Sequence, residues 1–213
     1  MTVWLISQCT RPPAPTTRMS TRAVTNTLLY RQMLWDTRAT LVISTGPAGT
    51  GKTMGACAVG LEKLRSGDYE RLVVTRPTVP VANETLGHLP GTLADKMWPW
   101  LAHMSEYIDM DKIETLPLSH MRGHTFHNTW VLADEMQNST VTQMKTLLTR
   151  VGESSKVVVT GDLGQSDLAG TNGLEDLLRR VEAAGDLENV HVRFTTDDIK
   201  RSDFVKYIYK LYG

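Results

Sequence analysis

The stretch Gly46-Pro47-Ala48-Gly49-Thr50-Gly51-Lys52-Thr53 satisfies the pattern G-x-x-x-x-G-K-[ST] at every fixed position. It follows Leu41-Val42-Ile43-Ser44, a short apolar run of strand length, and precedes a helical pattern over Met54 to Leu64. Strand, glycine-rich turn and helix in that order form a phosphate-binding loop. The glycines let backbone N–H groups turn inward around phosphate oxygens, and the helix behind them adds the positive end of its dipole. Lys52 then bridges the terminal phosphates, and the Thr53 hydroxyl ligates Mg²⁺. Gly46, Pro47, Ala48, Gly49, Thr50, Gly51, Lys52 and Thr53 are thus expected to bind ATP with Mg²⁺ as cofactors.

Outward from the loop, strand-sized runs recur at Arg71 to Thr75, Thr129 to Ala133, Lys156 to Thr160 and Val190 to Phe194. Helical patterns occupy Thr21 to Thr37, Met54 to Leu64, Leu93 to Tyr107, Val141 to Val151, Leu174 to Ala184 and Phe204 to Leu211. Strands alternating with helices give right-handed βαβ units, hence an α/β fold with a mostly parallel sheet and helices on both faces. Residues 1–20 contain Arg11-Pro12-Pro13-Ala14-Pro15 and read as a flexible tail, leaving 21–213 as the folded domain.

A phosphate-binding loop needs a carboxylate at the end of a neighbouring strand to hold Mg²⁺, and Trp130-Val131-Leu132-Ala133-Asp134 supplies it. Asp134 joins Thr53 as the expected Mg²⁺ site. Glu135 can reach a water behind the γ-phosphate and act as base, which favours hydrolysis over phosphoryl transfer to a small molecule. The next strand ends in Thr160-Gly161-Asp162, with Gln165 three residues on. If that strand lies between the loop strand and the Asp134 strand, as in RecA-like ATPases, Thr160, Asp162 and Gln165 face the γ-phosphate. The expected order of the five strands, numbered along the chain, is then 5-1-4-3-2.

Composition excludes several classes. The chain has 213 residues, 41% hydrophobic and 22% charged, which is ordinary globular usage. No apolar run approaches the ~18 residues of a membrane span, so no membrane association is expected. Two cysteines, Cys9 and Cys57, give no disulfide framework and suit a reducing, cytoplasmic setting. Formal net charge is +0, so any nucleic-acid surface must be local. Residues 1–45 carry Arg11, Arg18, Arg22, Arg31 and Arg38 against Asp36 alone, whereas residues 84–114 carry six acids against Lys96 and Lys112. Solvated faces explain that segregation without a partner. His120, His124 and His127 lack the cysteine or carboxylate partners of a zinc pattern. Trp98 and Trp100 suit packing better than base stacking, and Arg76 suits either an ion pair or a nucleic-acid phosphate.

Taken together, the residues resemble the PhoH-like family, phosphate-starvation-inducible P-loop ATPases akin to the motor core of superfamily 1 helicases. The likeness runs through Gly46 to Thr53, Thr75-Arg76-Pro77, Leu86 to Gly91, Met121-Arg122-Gly123 with Thr125-Phe126, and Asp134 to Asn138. It continues through Gln143-Met144-Lys145, Leu148-Thr149-Arg150 and Val159 to Asp162 with Gln165. The chain differs at His124, where the family has a second arginine, and around Asn26 and Gln32, where related ATPases place an adenine-reading glutamine. The resemblance implies a RecA-like fold over about Thr40 to Leu211, ATP hydrolysis, a role in RNA metabolism with single-stranded RNA or another nucleic acid as partner, and assembly into a homo-oligomeric ring. No ribonuclease-like or KH-like domain is expected beside the ATPase core.

A two-domain helicase completes its nucleotide site with arginines from a second motor domain, which this chain is not expected to contain. Loss of such an arginine slows hydrolysis by about 10³- to 10⁵-fold in GTPases. A neighbouring subunit offering Arg150, Arg201 or Arg122 would restore it. Two other functions stay open: a nucleotide-gated binding module with little turnover, and a P-loop kinase of a small molecule.

Overall fold

The computed structural model describes residues 25–77 and 113–202, together with Phe204, Tyr207 and Leu211 of a C-terminal helix. The expected tail, the Leu86 to Gly91 stretch, the helical pattern over Leu93 to Tyr107, Trp98 and Trp100 lie outside these residues. In chain order the elements are α1 (Asn26–Trp35), β1 (Leu41–Thr45), α2 (Lys52–Arg65), β2 (Arg71–Thr75), β3 (Glu114–Thr115), β4 (Thr129–Ala133), α3 (Val141–Leu148), β5 (Lys156–Gly161), α4 (Gly173–Ala183), the one-turn α5 (Leu187–Val190) and β6 (His191–Arg193).

Among the described residues all strand pairings are parallel, and the order is β3-β2-β4-β5-β1-β6. The five expected strands therefore stand in the expected sequence. The count is corrected from five to six by β3, whose 2 residues are too short to leave a periodic signal. Val190, expected to open the last strand, instead ends α5.

Successive strand residues feed opposite cores. Val42, Val74, Leu132 and Val158 pack with α1 and α2, whereas Ile43, Val73, Val131 and Val159 pack with α3 and α4. The strands read as near-continuous apolar runs because both faces are covered. α3 and α4 open with capping boxes, Thr140 with Gln143 and Asn172 with Glu175. Each box is worth about 1 kcal/mol and fixes where its helix starts.

α1 is tied to the sheet by a buried charge. Lys156 Nζ donates to the carbonyls of Met33, Leu34 and Asp36 at 3.0, 2.9 and 2.7 Å, where the helix dipole is negative. Burial draws this ammonium down to about 8, opposed by Asp36. The anchoring matters because α1 carries Tyr30 to the phosphate-binding loop.

Candidate functional site

The loop from Gly46 to Gly51 leaves the carboxyl edge of β1 with φ of 130°, 82° and 91° at Gly46, Gly49 and Gly51. These left-handed angles cost glycine little and any other residue more, which is why three glycines stand here. Gly51 opens α2 with no side-chain cap, unlike α3 and α4, so the first-turn N–H groups are available to an anion. Lys52 Nζ lies along the loop, donating to Gly46 O at 2.6 Å and Pro47 O at 2.8 Å. Thr50 Oγ1 also donates to Pro47 O, at 3.0 Å.

Parallel pairing brings the ends of β4 and β5 to the same edge. Thr53 Oγ1 donates to Asp134 Oδ1 at 2.7 Å, and Thr160 Oγ1 donates to the same oxygen. Asp134 is buried at 4% exposure. Burial raises its carboxyl above the ordinary range and the Glu135 charge adds to this, while the Thr160 and Thr53 hydroxyls oppose it. Thr53 and Asp134 thus form a hard-oxygen pair able to hold a divalent ion. Burial lowers the Lys52 ammonium, and the carboxylates of Asp162, Asp134 and Glu135 pull the other way. Loop, lysine, hydroxyl and carboxylate together fit a magnesium-bound nucleoside triphosphate.

Glu135 adopts φ 54°, a left-handed conformation that a non-glycine residue keeps only at a cost of about 1–3 kcal/mol. Its carboxylate accepts from Gln137 Nε2 at 2.6 Å, and Gln137 Oε1 in turn accepts from Asp162 N at 3.1 Å. The Asp162 carboxylate accepts from Gly164 N at 3.1 Å and from Gln165 Nε2 at 2.8 Å. Glu135, Asp162 and Gln165 are therefore linked through one buried amide. Gln137 was not singled out from sequence, because its importance lies in contacts across two strands rather than in a spacing.

A second support also escapes a motif reading. Tyr30 Oη donates to Lys52 O at 3.0 Å, and its ring meets that of Phe194 edge-on at 5.5 Å between centroids. Lys200 N donates to Gly49 O at 2.9 Å, and the Arg201 stem packs on Gly49. Arg201 is thus brought to its own chain's loop, whereas Arg150 is not. Arg150 O accepts from Phe126 N at 2.8 Å, at the edge where β4 and β5 begin, opposite the nucleotide loop. Arg122 stands in an exposed turn of the connection from β3 to β4.

The profile of the family described as PhoH-like protein matches residues 20–213. A PhoH-like protein of Mycobacterium tuberculosis strain H37Rv is 40% identical over 188 residues, covering 82% of this chain and 53% of that protein. Protein PhoH of Escherichia coli strain K12 is 40% identical over 179 residues, covering 76% and 50%. The chain spans about half the length of these curated relatives. Among solved structures, the SWI2/SNF2 ATPase core of Sulfolobus solfataricus in complex with dsDNA superposes with a TM-score of 0.47 at 12% identity, covering 87% of this chain and 47% of that one.

Proposed function

The chain belongs to the PhoH-like protein family, and from that premise we propose that it binds and hydrolyses ATP as an oligomeric ATPase coupled to the handling of single-stranded RNA or another nucleic acid. One observation carries the reading: β5 lies between β1 and β4, so that Thr160 and Thr53 converge on Asp134 with Glu135 beside them. A kinase or GTPase arrangement would put the loop strand directly beside the Asp134 strand.

Residues 21–213 form the ATPase domain, residues 1–20 a tail, and the setting is cytoplasmic; no described helix is long and apolar enough to cross a membrane. The loop amides and Lys52 bind the phosphates, and Thr53 with Asp134 holds Mg²⁺, which supplies charge neutralisation at the phosphates. Glu135 takes the proton of the attacking water, held in place by Gln137. Thr160, Asp162 and Gln165 respond to the terminal phosphate, since their hydrogen bonds end on Asp134 or run to Glu135 through Gln137. Arg76, at the carboxyl end of β2 and electrostatically coupled to Asp134, supports a nucleic-acid contact on the same edge.

Lys52→Ala should abolish ATP binding, whereas Glu135→Gln should keep Mg-ATP binding and lose turnover by about 10²-fold or more, the usual worth of a general base. Turnover by Glu135→Gln at the parental rate would overturn the assignment. Single-stranded RNA should raise the parental rate at low salt, with the stimulation falling as salt rises. An unchanged rate with RNA, DNA or duplex would leave an ATPase without a nucleic-acid partner.

A further inference from the structure

The segment after β6 crosses the nucleotide loop. Phe194 N donates to Thr45 O at 2.7 Å, and the Phe194 carbonyl lies so close to Gly46 that a side chain there would collide with it. The turn at Thr196–Asp198 is fixed by Asp198, whose carboxylate accepts from Thr195 N at 2.8 Å and from Asn26 Nδ2 at 2.8 Å. Ile199 is then buried, and Lys200 N donates to Gly49 O at 2.9 Å. Arg201 follows, with its stem and Nε 3.1 to 3.2 Å from the point that a Cβ on Gly49 would occupy. An exposed arginine is ordinarily a mobile, solvated charge. This one is delivered to a phosphate-binding turn by a peptide anchored on α1, on β1 and on the turn itself.

We infer that Arg201 is a phosphate-contacting residue of its own chain's nucleotide site, its guanidinium meeting the terminal phosphate of ATP, and not a finger offered to a neighbouring subunit. The inference rests on the reading of this loop as an ATP site. A planar guanidinium donates to phosphate oxygens in a fork, the charge-assisted geometry that phosphate recognition favours. The missing side chain at Gly49 gives the stem room to lie on the loop. To serve a neighbouring site the Arg201 side chain would have to leave its place against Gly49, while the Lys200–Gly49 bond and the turn held by Asp198 keep its backbone at its own chain's loop.

Arg201→Met keeps an aliphatic stem on Gly49 and removes the charge, so folding is preserved and thermal unfolding can verify it. Fluorescence titrations in Mg²⁺ would compare a non-hydrolysable ATP analogue with ADP. The expected result is that Arg201→Met weakens the triphosphate by about 10- to 100-fold, as for loss of a charged hydrogen bond, and ADP far less. Arg201→Lys should recover part of the loss. Equal loss for both nucleotides, or none, would overturn the inference, since a merely structural stem predicts no γ-phosphate dependence. Mixing Arg201→Met with Lys52→Ala subunits supplies the second arm. An in-chain arginine gives no rescue of ATPase activity, because no subunit then holds both groups; rescue would assign Arg201 to the neighbour's site. A parental protein that binds the triphosphate without hydrolysing it would refute the ATPase reading alone, and the binding comparison would still decide Arg201.

Discussion

Asp134 is a charge placed where folding disfavours it. Its raised carboxyl means that the folded chain takes up this proton more readily than the unfolded one, so the associated stability is present at low pH and is lost as pH rises through the folded value. Asn at this position keeps an oxygen to accept from Thr53 and Thr160 but carries no charge. Asp134→Asn should therefore raise the melting temperature of the ligand-free protein at pH 8, by about 1 kcal/mol or roughly 2–4 °C for a chain of this length, while abolishing Mg-dependent hydrolysis. The gain should shrink toward pH 4. A lower melting temperature at pH 8 would show that Asp134 is stabilising as a carboxylate, against the direction of its shift. The eight loop residues and Asp134 were legible in the sequence because each is fixed by local spacing and by a strand end. The left-handed backbone of Glu135 and the bridging role of Gln137 were not, since nothing in a one-dimensional pattern sets a φ angle or joins β4 to β5.

Between elements, α2 comes close to the sheet at Gly60. A Cβ on Gly60 would lie 2.7 Å from Trp130 Nε1, so helix and strand meet at a distance that only glycine permits. Helix propensity alone favours alanine there by about 1 kcal/mol. Overpacking should win: Gly60→Ala is expected to destabilise by about 1–3 kcal/mol in urea denaturation, and stabilisation would mean that Leu72 and Trp130 repack freely. Strand positions were readable because apolar runs of strand length are bounded by turn residues. Helix limits were less so. α1 begins at Asn26, one residue after the Thr25 cap, with residues 21–24 of its expected pattern outside the described residues, and α3 stops at Leu148 rather than Val151. The Thr25 cap decides the first of these ends, and such capping depends on a single side-chain oxygen rather than on periodicity.

At the level of the whole molecule, the site as described draws on one sheet edge, while Arg150 stands at the other. If a neighbour completes the site, Arg150 can serve only from a second chain. Mixing Lys52→Ala with Arg150→Ala subunits should then restore part of the ATPase activity that each has lost, because some interfaces contain both intact groups. No recovery, or full activity from a monomer in light scattering, would sink the shared-site reading for Arg150. The strand order was recoverable from sequence because the roles expected of Thr160 and Asp134 required it. The route of residues 194–201 over the loop was not, being a matter of where a loop turns rather than of which residues compose it.

The two ends of the described sheet are its shortest parts, 2 residues in β3 and 3 in β6. A long bare edge is a template on which another chain can add strand after strand, the route to fibrils. Among the described residues each outermost strand offers only two or three residues to a further strand, so intermolecular strand addition finds a short foothold there. Crowded or partly purified preparations of this domain should accordingly fail, when they fail, as amorphous precipitate rather than as cross-β aggregate.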